Sequence, residues 1–280
     1  MCISPITEFR TGTEAVPGTV GIIVDLERTE FKSTAAWVDK EISAFYKLYK
    51  DTSTELRAAA KGKVILIDRT ESKPKSICFQ ANGSLVKAAW CGNASAATAA
   101  YLNSTDSNTL FEVSNGATMQ VDANVNPIEN GEFMVSQNWE LEKQFKLNEK
   151  CKINGGSEIT LNFLNDYRIN ISDTVSSFEN SCQWEIKHQS DLGPNQKVCV
   201  LHPPSGRVKY ITSSYVHKSA PITGLCTLAF LQQRLPWLAK RMKTNTVVTS
   251  RGELTLPKVQ LTDNTIKINV NPIQVNLKKA

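Results

Sequence analysis

Trp90-Cys-Gly-Asn-Ala-Ser-Ala-Ala-Thr-Ala-Ala-Tyr-Leu102 sets a thiol and two turn-favouring residues directly before a run of small helix formers. Ala94 to Leu102 predicts a helix of about two and a half turns. Asn93 suits the N-cap, and Ser95 and Thr98 are small enough for the helix to lie deep in a domain. The first N–H groups of such a helix have no intrahelical partner, and its dipole favours negative charge at that end. Positive potential there lowers a cysteine pKa, which makes Cys91 the leading candidate for an acid/base group. The competing reading is a buried cysteine in front of an alanine-rich core helix.

A second helix start is written in Ser219-Ala-Pro-Ile-Thr-Gly224, ahead of the apolar run Leu225–Leu235, which should end near Pro236. His217 and Lys218 are the titratable side chains close before it, and either could supply an acid or base; the simpler reading is an exposed loop. Asn93, Thr223 and Gly224 are the better candidates for holding a carboxylate through backbone N–H groups and short side chains. His202, before Pro203-Pro204, reads as a turn residue, and His188 as the solvated end of a strand. Cys78, Cys151, Cys182 and Cys199 fall in or near strand-like segments and read as small hydrophobes.

These helices need a frame. A chain of 280 residues favours two domains over one core. Hydrophobic content of 41% and charged content of 21% are ordinary for a globular protein. The net charge of +5 is mild and forms no basic stripe interleaved with aromatics, which argues against a nucleic-acid partner. Seven cysteines without a C-x-x-C pair point to reduced thiols and a cytoplasmic location. Three histidines and no Cys/His cluster argue against a structural zinc site. Neither a signal peptide nor an apolar run of membrane-spanning length is evident.

Gly18–Asp25, Val64–Asp68, Ser76–Gln80 and Leu85–Val86 read as strands, with a helix over about 34–49 capped by Ser33, another over 55–61, and a tight turn at Asn82-Gly83. Further strands are expected around 110–113, 117–121 and 132–135, antiparallel because no long helix separates them. The second half repeats this plan loosely, with strands at 159–163, 184–188, 197–201 and 208–212 and closing strands in 252–278. The polar stretch 122–131, with Pro127, is the best boundary. The expected lobes are 1–125, joined by closing strands from about 265–280, and 126–264.

Cys78-Phe-Gln-Ala-Asn-Gly-Ser-Leu-Val-Lys-Ala-Ala-Trp-Cys-Gly-Asn93 resembles the "F-N-A-D-G-S…C-G-N-G" strand, turn and helix of the diaminopimelate epimerase family, with two extra residues before the cysteine. Gly18-Thr-Val-Gly-Ile-Ile-Val-Asp25 is similar to that family's opening "G-N-D-F-V-V-V-D", with Thr19 where the family has a substrate-binding asparagine. Leu164-Asn-Asp-Tyr167 stands where the family carries "G-N-P-H" and keeps Asn165. The resemblance implies an α+β fold of two pseudo-symmetric lobes, each a β-rich wrap around a central helix. It implies a substrate between the two helix starts and one cysteine per lobe acting on opposite faces of a carbon acid. Thr19, Gln80, Gly92, Asn93, Asn165, Thr223 and Gly224 would then line the substrate.

The departures limit that reading. The family's second lobe reads "A-C-G-T-G", whereas Pro221 falls on the cysteine's place here and Cys226 lies inside the helix. In proline-racemase relatives, "D-R-S-P-C-G-T-G" puts arginine and serine opposite Lys218 and Ser219, and Thr212-Ser213 replaces the substrate-holding Glu-Arg pair of the epimerases. The expectation is a cofactor-independent racemase or epimerase acting next to the carboxylate of a small amino acid or related acid, with Cys91 as acid/base. No phosphate-binding glycine motif suggests a nucleotide or pyridoxal phosphate. The alternatives are a one-thiol lyase or double-bond isomerase, and a catalytically silent binding protein on the same fold. No membrane partner is expected; a homodimer is.

Overall fold

The computed structural model describes residues 6–12, 18–28, 62–81, 85–87, 90–106, 109–114, 118–129, 131–142, 145–152, 156–193 and 196–279. The helices read at 34–49 and 55–61, and the turn at 82–83, lie outside them. Among the described residues the fold is α+β, strands outweighing four α-helices, in two compact units. The first comprises the described residues within Met1–Thr13, Gly18–Leu141 and Asn271–Ala280, and the second those within Glu142–Val270. Among them, no helix is long and apolar enough to cross a membrane.

In the first unit β1 (Ile6–Thr11), β2 (Thr19–Asp25), β3 (Lys63–Asp68), β4 (Lys75–Ala81) and β5 (Leu85–Lys87) precede helix α1 (Gly92–Asp106). β6 (Leu110–Ser114), β7 (Thr118–Glu129) and β8 (Glu132–Glu142) follow it. β1 is antiparallel to β2, β2 parallel to β3, β3 antiparallel to β4, β4 parallel to β6, and β6 antiparallel to β7. The polar stretch is therefore strand over 122–129: β7 runs on to Glu129 and pairs with β8 through Glu132. The change of unit falls at 141–142. Alternate residues Met119, Val121 and Ala123 are buried while Thr118, Gln120 and Asp122 face out, so a polar sequence can still be a strand with one covered face.

α1 packs against β1, β2, β3, β4, β6 and β7. Ala94, Ala96, Ala97, Ala99 and Ala100 are each at most 3% exposed, so the helix is buried all round, as its near-uniform small apolar sequence requires. It runs well beyond Leu102, to Asp106.

The second unit holds β9 (Lys146–Lys152), β10 (Gly156–Asn162), β11 (Asp166–Ser172), helix α2 (Val175–Lys187), β12 (Gln196–His202) and β13 (Arg207–Thr212). Helices α3 (Ile222–Arg234) and α4 (Pro236–Met242) and strands β14 (Thr246–Thr249), β15 (Gly252–Thr255) and β16 (Lys258–Leu261) follow. β17 (Thr265–Lys279) pairs its first residues with β16 and its last with β1. β10 is antiparallel to β11, β11 parallel to β12, β12 antiparallel to β13, β13 parallel to β14, and β14 antiparallel to β15. This is the same succession as in the first unit, and α3 occupies the crossover that α1 occupies there. Residues Ile222 to Leu231 are buried without a break, so α3 is this unit's central helix.

One sequence expectation is corrected. Residues 184–188 are not a strand but the end of α2 and its cap. Thr174 accepts from the Ser177 N–H at 3.1 Å to start that helix, and the buried Phe178 and Glu185 face inward with half-buried Cys182 between them at helical spacing. α3 ends just before Pro236, as expected, and the fixed φ and missing N–H of Pro236 also suit the first turn of α4.

Candidate functional site

Cys91 occupies the cap position of α1, its carbonyl accepting the Ser95 N–H at 3.0 Å. Asn93 is therefore not the N-cap. It lies in the first turn, and its side-chain amide donates to the Thr19 hydroxyl at 2.9 Å. Gly92 opens the helix and is buried; its carbonyl receives the Gln137 amide at 3.3 Å and the Ser95 hydroxyl at 3.0 Å. Gln137 in turn accepts from Trp139 Nε1 at 3.1 Å. Cys91 itself is half-buried.

Strand alternation decides what faces this helix start. Ser76 of β4 meets Thr98 of α1 hydroxyl to hydroxyl at 3.0 Å, so Cys78 and Gln80, at i+2 and i+4, point to the same side. Cys78 is buried, its thiol donating to the Phe79 carbonyl at 3.9 Å; neighbouring Cys91, then burial, pushes that thiol well up, with Lys63 pulling the other way. Lys63 pairs with Gln80 in the β3–β4 register and donates to its Oε1 at 3.0 Å. The structure thus joins Cys91 to Cys78, Asn93 to Thr19, and Gln80 to Lys63 at one end of α1. Cys78 and Lys63 were missed in the sequence. Their signal was the period-two placement of Ser76, Cys78 and Gln80, and a lysine heading an otherwise apolar strand.

In the second unit the first turn of α3 is polar without a thiol. Pro221 is its N-cap residue, with extended backbone and no side-chain cap. The Thr223 hydroxyl meets the Tyr167 hydroxyl at 3.0 Å, and Lys197 Nζ lies 3.4 Å from the same oxygen and 5.6 Å above the Tyr167 ring. Burial raises the Tyr167 phenol far above its ordinary value, the Thr223 bond opposing, so Tyr167 stays protonated. Gly224 is needed for close approach: a Cβ there would stand 2.5 Å from Tyr210 Cε1. Asn165 is buried in the turn between β10 and β11, its carbonyl accepting the Phe163 N–H at 3.3 Å.

His217 is half-buried, edge-on to Tyr215 at 4.6 Å, and its backbone N–H is held by the Tyr210 carbonyl at 2.9 Å. Lys218 is exposed, with its carbonyl held by Ser250. Cys226 is fully buried in α3 and its thiol is raised by that burial. His202 is a buried residue whose Nδ1 lies 2.7 Å from Ser205 Oγ, and His188 caps α2 with its ring stacked on Trp184 at 4.3 Å. Among the described residues no cluster of three or more His, Cys, Asp or Glu could hold a metal ion.

No family model and no curated protein sequence matches the chain. Solved structures do. A phenazine-biosynthesis PhzC/PhzF protein from Clostridium difficile superposes with a TM-score of 0.54 at 9% identity, covering 98% of each chain. A protein described as an epimerase from Pseudomonas aeruginosa gives 0.56 at 9% identity, again over 98% of each chain. A PhzF-family phenazine-biosynthesis protein from Enterococcus faecalis gives 0.53 at 10% identity, over 98% of this chain and 100% of its own. The chain therefore has the diaminopimelate epimerase-like fold that these proteins share.

Proposed function

We propose that the protein is a cofactor-independent isomerase that moves a proton at the carbon next to the carboxylate of a small amino acid or related acid, with Cys91 as acid/base. The observation that carries this reading is a half-buried thiol at the start of a helix whose alanine core is buried, beside a second, buried thiol whose pKa is pushed up. The positive end of the α1 dipole, at whose cap Cys91 sits, favours Cys91 as the thiolate. The Cys91 thiolate takes the α-proton and becomes a thiol; the electron pair left on carbon delocalises into the carboxylate; a proton returned to carbon completes the turnover. The dipole of α1 and the Lys63 ammonium favour the negative charge that develops. A protein described as a predicted epimerase, among the structures with this fold, adds support.

At the first helix start Thr19, Gln80, Gly92 and Asn93 are the candidates for holding the substrate; Asn165, Thr223 and Gly224 are the corresponding candidates at the second. Lys197, whose ammonium reaches Thr223 in the first turn of α3, and Tyr167 join His217 and Lys218 as candidates for the second proton-transferring group.

A second reading, a one-thiol lyase or double-bond isomerase, is favoured by Pro221 capping α3 and by the complete burial of Cys226. Incubating the protein with small amino acids and related acids in heavy water separates the two. A racemase or epimerase exchanges the α-hydrogen and inverts the centre; a one-thiol enzyme exchanges or eliminates without inversion. Cys91→Ala should lower either activity by about 10²–10⁴. Full turnover in Cys91→Ala sinks the assignment of Cys91.

A further inference from the structure

The Cys78–Cys91 contact has a chemistry that proton transfer does not use. Thr98 and Cys91 are seven residues apart, nearly two full helical turns, so they lie on one line along α1, about 10 Å apart. Ser76 sits against Thr98, and Cys78 lies about 7 Å further along β4 on the same side. β4 therefore leads from Thr98 towards Cys91, and Cys91 is the neighbour that acts most strongly on the Cys78 thiol. One thiol is half-buried and open to a small oxidant; the other is buried.

We propose that Cys78 and Cys91 form a reversible thiol–disulfide pair through which peroxide silences the Cys91 centre. The silencing, though not the pairing, rests on the acid/base reading of Cys91. In the first step the Cys91 thiolate attacks hydrogen peroxide, forming a sulfenic acid and releasing hydroxide; sulfur is oxidised by two electrons and the O–O bond is cleaved. In the second, the Cys78 sulfur displaces the sulfenic oxygen, which leaves as water with the thiol proton, and the S–S bond forms. A dithiol reductant restores both thiols and is itself oxidised to a cyclic disulfide. Cys78 thus stops Cys91 from proceeding to irreversible sulfinic acid.

The test uses the full chain under native conditions, treated with limiting hydrogen peroxide, blocked with iodoacetamide, digested and mapped by mass. The expected product is one linked peptide pair containing Cys78 and Cys91, lighter than the sum of its parts by two hydrogens and absent after dithiothreitol. In Cys78→Ser the linked pair disappears and a dimedone adduct accumulates on Cys91. In Cys91→Ser, Cys78 stays reduced at the same dose. Wild-type Cys91 passing to sulfinic acid with Cys78 still alkylatable after unfolding, Cys91 linked to another cysteine, or Cys91 untouched at a dose that oxidises glutathione would each overturn the pairing. The wild-type map decides this even if a Cys78 variant does not fold. Hydrogen exchange from substrate should fall in proportion to the linked fraction; linkage without that fall leaves the pair standing and removes the acid/base role of Cys91.

Discussion

Lys63 and Lys197 hold the same position in the two units. Lys63 lies between Gly21 of the parallel strand β2 and Gln80 of the antiparallel strand β4. Lys197 lies between Tyr167 of the parallel strand β11 and Thr212 of the antiparallel strand β13. Each ammonium then reaches a polar side chain beside its central helix, Gln80 in one case and Thr223 in the other. The repeat of strand order thus carries a repeated charge.

If these cations bind substrate carboxylate, Lys63→Met and Lys197→Met should raise KM more than they lower kcat. A hydrogen bond to a charged group contributes about 1.5–3 kcal/mol, so the rise should be about ten- to a hundredfold for each. Steady-state kinetics on the acid identified by exchange will read it. A fall in kcat alone for Lys197→Met, with a displaced pH profile, would instead mark Lys197 as the second acid/base group.

Gly224 should not tolerate a methyl group. The added Cβ would stand 2.5 Å from Cε1 and 2.8 Å from Cζ of Tyr210, a ring that is only 1% exposed. Overpacking of this kind costs about 1–3 kcal/mol. Denaturant unfolding of Gly224→Ala should show that loss, and Tyr210→Leu in the same chain should recover part of it. A neutral Gly224→Ala would mean that the helix start yields more readily than this packing implies.

How much of this was legible in the sequence depended on which face of each element was covered. The start of α1 was readable because Gly-Asn before an alanine run has a local meaning. The start of α3 was readable from Thr-Gly before an unbroken apolar run. α2 was misread because Trp184-Glu-Ile-Lys-His188 alternates like a strand, while its real signal, Thr174 as cap and Phe178, Cys182 and Glu185 at helical spacing, spans more residues. Glu185 is buried only because Arg168 and Asn170 of β11 each reach it at 2.6 Å. No local pattern announces such a pairing. The roles of Cys78, Lys63 and Lys197 were hidden for the same reason: each depends on strand register across the sheet.

Alkylation should discriminate sharply among the thiols of the described residues. Cys91 is half-buried and should react first at limiting reagent. Cys182, half-buried on α2 and pushed up to about 11 by burial, should follow only as pH rises. Cys199, pushed up to about 12 by burial, and Cys226, raised further, should react only on unfolding. Peptide mapping after a short iodoacetamide pulse reads the order, and preferential labelling of Cys199 or Cys226 would overturn it.

Alkali should destabilise the second unit through the same buried groups. Burial raises the thiol of Cys199 from 9.0 to about 12, and burial also raises Cys226, Tyr167 and Tyr210 above their ordinary values. A group whose folded pKa is raised contributes its full stability below the unfolded pKa and loses it as pH climbs towards the folded one. From about pH 9 upward the unfolded chain releases a proton at Cys199 that the folded chain retains. Stability then falls by about 1.4 kcal/mol per pH unit for that thiol, and the other raised groups steepen the fall. Urea unfolding at about pH 8, 9 and 10 should show this slope. Cys199→Ala should start less stable, because it leaves a small cavity beside Tyr210, yet decline less steeply by one group. If its slope runs parallel to that of the wild type, burial is not what keeps the Cys199 thiol protonated.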